Sequence, residues 1–529
     1  MPVTVNTEIE RKYHVDESTP VPDLSSMGEL RAQLAVDLRA VYYDTADGAL
    51  ASRFIALRRR TGGKDEGWHI KGPAAEGRFE RHAPLDLASL DHTAPSDSLP
   101  SNETPATGPP RDLIDTVRAI VRDQELVVVA RVTTHRSAIL VLDRDGAAVV
   151  EVADDVVTAT DLRTGILRFW REWEVELLDD APHGRKKRAA LLDGIEHQLL
   201  AAGATVSASA SKLARALGRN SLAVRRSQPK LSKSSIALEV VSAVLSDLIE
   251  ALVAADPRAR ADEADGVHAF RTLVRRLRSV LTAFRSVLDR EVTDGIRDRL
   301  KQLGSVLGAA RDAEVWRIRA LALLETNEHL REDADLCRRL IDEPLDEYRA
   351  THAAAVSYLN GTEYFRILDD LDELVARPPV TEASMNIARD ELHGALVAEA
   401  RRTRKLAKRA ANDDLTALHE ARKAARRLRH AAEALSSGST AIFGTKVRAL
   451  AEAGKALQDA IGDNRDALLF AGRLLETAHQ ATDAAENAAN YGALVRLERY
   501  NAEAALDRYE IARTALHHAA ADFDRHTDP

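Results

Sequence analysis

A change of period near the middle of this chain constrains its fold most strongly. From residue 1 to about 215, apolar and polar residues alternate at every second position. Examples are "TEIERKYHV", "FIALRRRTG", "EGWHIKGP", "GRFERHAP", "VVVARVTTHR", "AAVVEVADD" and "RFWREWEVELL". Alternation of this kind belongs to half-buried β-strands. From about 235 to 525, Ala, Leu, Arg, Glu and Asp recur at spacings of three and four, the period of an amphipathic helix. One core cannot serve both patterns, and 529 residues exceed what a single core fills. The expected division is a strand-rich domain over 1–217, a polar linker over 218–234 containing Pro229, and a helical domain over 235–525.

Within the first part, about eight strands are punctuated by "DTADG", "TGGKDEG" and "DRDG". Two helical stretches interrupt them, "RDLIDTVRAIVRD" and "GRKKRAALLDGIEHQLLAAG", and "SLPSNETPATGPP" reads as an exposed loop. So many strands with so few helices predict an antiparallel barrel. In the second part, helix breaks are expected near Pro257, Gly361, Pro378-Pro379 and Gly438, and the segments between them read as a bundle. This part also repeats itself. "HAFRTLVRRLR" (His268 to Arg278) returns 151 residues later as "HEARKAARRLR" (His419 to Arg429). "LGSVLGAARD" (Leu303 to Asp312) returns 154 residues later as "LQDAIGDNRD" (Leu457 to Asp466). Two matches at nearly one offset indicate a tandem duplication with pseudo-twofold symmetry, the repeats covering about 235–380 and 381–525.

Composition excludes several classes. The formal charge of −9 argues against non-specific nucleic-acid binding by the whole chain. Cys337 is the only cysteine, so neither an internal disulfide nor a cysteine zinc cluster can form. The N-terminus is polar, and no run of about 18 apolar residues is present, so neither a signal segment nor a membrane span is expected. The expected home is the cytoplasm. A G-x-x-x-x-G-K-[ST] phosphate loop is absent, and Asp44 with Thr45 in "YYDTADG" reads as a turn.

Period two gathers charge on single strand faces. Glu8, Glu10 and Lys12 share a face, as do Arg58 and Arg60, His69 and Lys71, Arg78 and Glu80, Glu151 and Asp155, and Glu172, Glu174 and Glu176. These could be solvated outer faces, which is ordinary for an antiparallel sheet. A barrel with a polar lumen is the alternative, and it requires that the charges meet partners. Acids at this density suit Mg²⁺ or Mn²⁺; Arg and Lys suit phosphate oxygens. Together they suit a metal-bound polyphosphate.

The N-terminal E-x-E-x-K, "LRRR", the strand lysine and the late E-x-E resemble the CYTH family, the triphosphate tunnel metalloenzymes, over residues 3 to 217. The resemblance implies an eight-stranded antiparallel tunnel that hydrolyses a triphosphate with a divalent metal. By position it assigns Glu8, Glu10, Glu151, Asp155, Glu174 and Glu176 to metal binding. Lys12, Arg58, Arg60, Lys71, Arg78, Arg136 and Lys212 are assigned to the substrate. Lys12 and Lys71 then act in catalysis with Glu176, which would orient or activate the attacking water; a second ion is the other candidate for that task. In "VARVTTHRSAI" both Arg131 and Arg136 compete for the tunnel position.

On helices, His268, Arg271, Arg275 and Arg278 form one stripe, and His419, Arg422, Arg426 and Arg429 form another. Arg401, Lys405, Lys408 and Arg409 share a further face. A charge stripe is usually a solvated face, but recurrence in both repeats favours a groove for a polyanion. Without Cys or H-x-x-x-H companions, zinc binding by the histidines is a weak reading. This half resembles the CHAD domain, which implies an all-α pair of four-helix bundles around a basic cavity that binds inorganic polyphosphate. The residues implied are the two stripes and Lys405. The segment before His268 is acidic and apolar where its counterpart before His419 is basic, so heavier contact by the second repeat is expected.

The expected protein is thus an α+β, two-domain, metal-dependent inorganic triphosphatase whose helical half binds polyphosphate, placed in the cytoplasm or on polyphosphate granules. The alternatives are a non-catalytic polyphosphate scaffold and an enzyme acting on a nucleoside or thiamine triphosphate.

Overall fold

In the computed structural model, strands β1 (Thr4–Glu8), β2 (Glu10–Val15), β3 (Glu29–Ala32), β4 (Val36–Asp44), β5 (Ala56–Thr61), β6 (Gly67–Pro73), β7 (Arg78–Pro84), β8 (Val127–Leu142), β9 (Ala148–Asp161), β10 (Leu167–Leu177) and β11 (Thr205–Val206) form one antiparallel sheet. The structure describes residues 4–74, 76–85, 108–209, 211–218, 231–232, 234–410, 415–436 and 438–525. Residues 98–107 of the expected loop, and 219–230 and 233 of the expected linker, lie outside the described residues. The chain divides into two units, Met1–Arg226 and Ser227–Pro529.

The strand order is β1-β7-β6-β5-β4-β8-β9-β10-β2-β11. Its two ends are halves of one N-terminal segment: β1 pairs with β7 and β2 with β10. Ile9 joins the two halves and its carbonyl accepts from the Leu177 amide at 3.0 Å. One bent strand therefore closes the sheet on itself. With β1 and β2 taken as one stave and β3 and β11 as short side pairings, the expected eight staves are recovered from eleven segments.

The sheet buries its apolar residues outward. Tyr13, Val15, Trp173 and Val175 pack beneath α4 (Arg185–Ala201) through Leu192, Ile195 and Leu199. Tyr43, Leu57, Trp68 and Ile70 pack with Leu50 of α1 (Ala49–Ser52) and with α2 (Arg111–Ile114) and α3 (Arg118–Val121). The stretch read as one helix over 111–123 is thus two short helices joined by a turn. Helix α5 (Lys212–Ala216) lies against Ala130, Val132, Ala159 and Trp170 through Leu213 and Ala216. These sheet residues share the inward parity of the charges, so α5 seals the lumen at that end.

Among the described residues of the second unit the helices are α6 (Ala237–Arg260), α7 (Gly266–Ala283), α8 (Arg290–Thr326), α9 (Ala334–Cys337), α10 (Glu343–Leu359), α11 (Thr362–Ala376), α12 (Ala388–Arg409), α13 (Leu415–Ala434), α14 (Thr445–Asp483) and α15 (Tyr491–Asp524). The second repeat is four helices, α12 to α15. In the first, the place of a single α15 is taken by pieces, because Asn360 caps α10 and Gly361 turns extended before α11. Pro257 stands close to the expected break, since α6 ends at Arg260 and the next helix starts at Gly266. It lies in the last turn of α6, where buried Asp256 and Arg260 pair at 2.5 Å and Tyr364 donates to Asp256 at 2.8 Å, holding that turn in place.

The duplication is visible as a twofold axis. The Ala237 amide donates to the Asn386 carbonyl at 2.9 Å and the Ala388 amide to the Ser235 carbonyl at 2.8 Å. Ile236 and Ile387 face each other in the bridge between them. Ser279 and His430, also 151 residues apart, touch at 3.1 Å. Residues that contact their own counterparts must lie on the axis relating the repeats, which here passes between α7 and α13.

Candidate functional site

The register of the barrel brings the charged faces to one lumen. Glu10 lies opposite Glu176, and Lys12 opposite Glu174. Glu176 also faces Glu151, and Glu172 faces Asp155. Arg136 pairs with Asp155 across β8 and β9, while Lys71 faces Glu80 across β6 and β7. The result is a cavity of about 640 Å³ lined by Glu8, Glu10, Lys12, Arg58, Arg60, Lys71, Arg78, Arg136, Glu151, Glu174, Glu176 and Lys212. Every tunnel residue expected from the sequence is in that lining except Asp155. Gly77, with φ +71°, packs where a Cβ would stand 2.0 Å from the Glu8 carbonyl oxygen, so a glycine at this turn lets the Glu8 end of the stave approach β7.

The lumen is divided by charge. On the basic side, Arg58 and Arg60 stand beside each other on β5, and neither Nε has a hydrogen-bond partner among the described residues. Burial, with Arg58 and Arg136 adding repulsion, pushes Arg60 down to about 10; Asp65 pairs with it. On the acidic side the carboxylates are held by ammonium groups. Lys71 lies 2.6 Å from Glu8 and 3.2 Å from Glu80, and Lys12 lies 2.6 Å from Glu10 and also pairs with Glu174. Burial opposes ionisation of Glu174, but Lys12, Lys212 and Arg136 hold its carboxyl well below the usual range.

Asp155 is fully buried behind this wall. Arg136 forks onto both its oxygens at 2.8 and 2.7 Å, and Lys212 reaches it at 2.9 Å. Lys212 also sits 2.9 Å from Glu172 and 2.5 Å from Glu174, so this ammonium centres the buried group Asp155, Glu172 and Glu174, whose carboxylate oxygens could otherwise converge on a cation. Glu176 differs from its neighbours. Burial first, then Glu8, Glu10 and Glu174, push its carboxyl up to about 7. Among the described residues the carboxylate oxygens that converge within reach of one ion are those of Asp155, Glu172 and Glu174, and Glu8, Glu10 and Glu176 add hard oxygen donors to the same lumen, a set of the kind that suits a divalent cation.

The ambiguity in "VARVTTHRSAI" is settled by pairing. Thr134 and Arg136 line the cavity together with Val132, whereas Arg131 has the opposite parity. Sequence reasoning missed Tyr42. It is buried in the lining, its hydroxyl lies 3.4 Å from Arg58, and despite burial Arg58, Lys212 and Lys71 draw its pKa down. Its parity with Arg58 was readable in principle, but "AVYYDT" looks like plain core. His69 was read only as a neighbour of Lys71. It is buried, 2.8 Å from Glu80, and burial pushes it down to about 3.

In the helical unit, α7 and α13 bring the two stripes together at the axis. Burial, then Arg426, Arg271, Arg422 and Arg278, push Arg275 down to about 9. Burial, then Arg422, Arg278, Arg271 and Arg427, push Arg426 down to about 10. Arg275 and Arg426 are counterparts, so the cluster straddles the axis and draws equally on both repeats. Each repeat also lays an arginine on a helix glycine. Arg271 Nη2 is 3.6 Å from where a Cβ on Gly308 would stand, and Arg422 Nη2 is 3.0 Å from that of Gly462. The Nε of both arginines is buried without a hydrogen-bond partner among the described residues. Carboxylates are sparse here: Asp466 lies 3.8 Å from Arg422. His268 and His419 stand at the cluster's ends; burial lowers both, with Arg311 adding to it at His268 and Lys423 and Arg465 at His419. Arg429 is tied to Glu433 at 2.7 Å. Lys405 is not in this cluster but lines a separate cavity with α15 residues.

Comparison with known proteins agrees with this geometry. Residues 6–202 match the CYTH domain and residues 243–475 the CHAD domain. Two uncharacterized proteins of Mycobacterium tuberculosis, from strains CDC 1551 and H37Rv, are each 33% identical over 531 residues, covering 96% of this chain and 96% of their own. Among solved structures, PptA from Streptomyces chartreusis is 20% identical, covers 53% of this chain and 100% of its own, and has a TM-score of 0.43. The CHAD domain from the plant Ricinus communis is 24% identical, covers 54% and 93%, and has a TM-score of 0.41. The chain belongs to the family, shared with its mycobacterial relatives, in which a CYTH domain is followed by a CHAD domain.

Proposed function

We propose that the barrel, residues 1–217, hydrolyses inorganic triphosphate with Mg²⁺ or Mn²⁺, and that the helical domain, residues 235–525, binds inorganic polyphosphate at the α7–α13 arginine cluster. One observation carries the reading: a single lumen with a basic wall and an acidic wall. Anions alone need only the first wall, and cations alone need only the second. A divalent ion held by Glu8, Glu10, Glu174 and Glu176, with Glu151 beside them, would neutralise phosphate oxygens.

The chain's own residues do the rest. Arg58, Arg60 and Arg78 grip the phosphate chain from the basic side, Lys12 and Lys71 turn from their carboxylates toward it, and Arg136 and Lys212 meet it from the acidic side while still held by Asp155. Glu176 accepts the proton of the attacking water. The water oxygen bonds to the terminal phosphorus as the bridging P–O bond breaks, giving orthophosphate, and Lys12 and Lys71 stabilise the charge left on the departing diphosphate. Asp155 positions Arg136 and Lys212 from behind.

Inorganic triphosphate is favoured over a nucleoside or thiamine triphosphate because Tyr42 is the only aromatic residue among the described lining residues, which leaves no exposed platform for a base. No helix among the described residues is long and apolar enough to cross a membrane, and the same reading places the protein in the cytoplasm with polyphosphate granules. The test is phosphate release from tripolyphosphate, ATP and thiamine triphosphate with Mg²⁺, with Mn²⁺ and in EDTA. Metal-dependent release fastest from tripolyphosphate is expected; no release from any of them would leave the non-catalytic scaffold.

A further inference from the structure

The charge difference between the flanks of the two repeats lies outside the central cluster. A cavity of about 580 Å³ opens between α12 and α15, lined by Arg401, Arg404, Lys405, Lys408, Arg513 and His517. Two of these charges are matched at the rim, Arg401 by Asp524 at 3.0 Å and Arg513 by Glu510 at 2.6 Å. Arg404 donates to His517 Nδ1 at 2.7 Å. That bond leaves the ring's other nitrogen as the donor. Lys405 and Lys408 are exposed and have no ion pair among the described residues. The lining therefore keeps a surplus of donors and positive charge around a concave space.

The twofold relation shows that this basic character belongs to one repeat alone. At the 151-residue offset, Arg401, Arg404, Lys405 and Lys408 correspond to Glu250, Val253, Ala254 and Pro257 of α6. A solvated face needed only for solubility has no reason to be acidic and apolar in one repeat and wholly basic in the other. It is also a different face of the helix. Glu399, on the side of α12 toward α13, pairs with Arg427 at 2.7 Å, and Arg404 lies about 140° further round at 3.6 residues per turn.

We propose that the α12–α15 cavity is a second anion site, specific to the second repeat and independent of the axial cluster, whose ligand is a short inorganic oligophosphate. The ligand class follows from the lining. Guanidinium and ammonium donors recognise phosphate oxygens, the volume suits several phosphoryl groups rather than one, and the described lining residues include no Phe, Tyr or Trp to stack a nucleobase. The proposal shares only its probe with the reading of the axial cluster.

The experiment is lysine-acetylation footprinting by mass spectrometry on the full chain, with inorganic tripolyphosphate as probe and Lys455 of α14 as the reference. At ten times the dissociation constant, acetylation of Lys405 and Lys408 is expected to slow about tenfold while Lys455 is unchanged. The same protection is expected in a chain carrying Arg275→Glu and Arg426→Glu, or Arg275→Gln and Arg426→Gln should the charge reversal misfold. Unchanged acetylation in the wild-type chain overturns the proposal. So does protection that vanishes with the arginine changes, which would make these lysines the rim of the axial site. Protection by an oligonucleotide of equal charge but not by tripolyphosphate overturns the ligand class.

Discussion

The barrel lumen and the axial helical cluster are both lined by cations, yet they handle charge in opposite ways. In the lumen Lys12, Lys71, Arg136 and Lys212 are each within ion-pair distance of at least two carboxylates. At the axis, Arg271, Arg275 and Arg426 have no ion pair among the described residues, and burial plus mutual repulsion depresses all three. A lumen balanced in itself has little net pull on a bare anion and suits an anion that arrives with a cation. A cluster of one sign is unbalanced until an anion arrives and has no use for a metal. On the proposed reading, the difference separates a site for chemistry from one for capture.

The largest expected break in this contrast is in stability. Arg136→Met removes the fork on Asp155 and one of the cations on Glu174, with Lys212 left to hold both, and should cost about 1.5–3 kcal/mol in chemical denaturation. Arg275→Met at the axis removes repulsion and should leave stability unchanged or raised. A loss at the axis equal to that in the lumen would dissolve the distinction. In activity, Glu8→Gln should lower metal-dependent phosphate release from tripolyphosphate by about 10²–10³-fold, with polyphosphate binding by the same protein unaltered. Arg275→Gln with Arg426→Gln should weaken polyphosphate binding by about a hundredfold, two charge-assisted contacts at about 1.5 kcal/mol each, whether or not EDTA is present. Comparable loss from reversing Arg271 with Arg275 and Arg422 with Arg426 is expected, because the cluster straddles the axis.

A smaller effect sharpens the picture of the axis itself. Burial, then Arg276, Arg429, Arg426 and Arg275, push His430 down to about 2 against Ser279. Its folded pKa is below its unfolded value, so its contribution is fully present above about pH 6.5 and is lost as pH falls below that, at about 1.4 kcal/mol per pH unit. Urea denaturation between pH 6.5 and 5 should show a steeper loss in the wild type than in His430→Gln; parallel slopes would mean that the ring protonates freely in the fold.

How much of this was legible beforehand depended on whether a feature is periodic or paired. Strand parity identifies the faces bearing Glu8, Glu10, Arg58, Arg60, Lys71, Glu174 and Glu176, because alternation is local. It could not separate Arg131 from Arg136: five positions apart on β8, they lie on opposite faces, and only pairing with β4 and β9 fixes which face is inward. Depth along the lumen is likewise invisible, so Asp155 and Glu174 look alike in the text although one is behind the wall and the other in it. The 151-residue repeat announces the duplication, but the contact between Ser279 and His430 that places the axis needs three dimensions. Pro257 marks the end of α6 to within a turn, and the buried Asp256–Arg260–Tyr364 contacts that carry the helix three residues past it need three dimensions.

The central claim, that the barrel performs metal-dependent chemistry on triphosphate while the helical domain only captures polyphosphate, is tested most directly by one assay. Phosphate release from tripolyphosphate is measured for the full chain with Mg²⁺ and with Mn²⁺, in EDTA, and with Arg275→Glu and Arg426→Glu. The account predicts release that requires one of the two metals and is unaffected by the arginine changes. Release that persists in EDTA, that fails with both metals, or that falls with the arginine changes would contradict it.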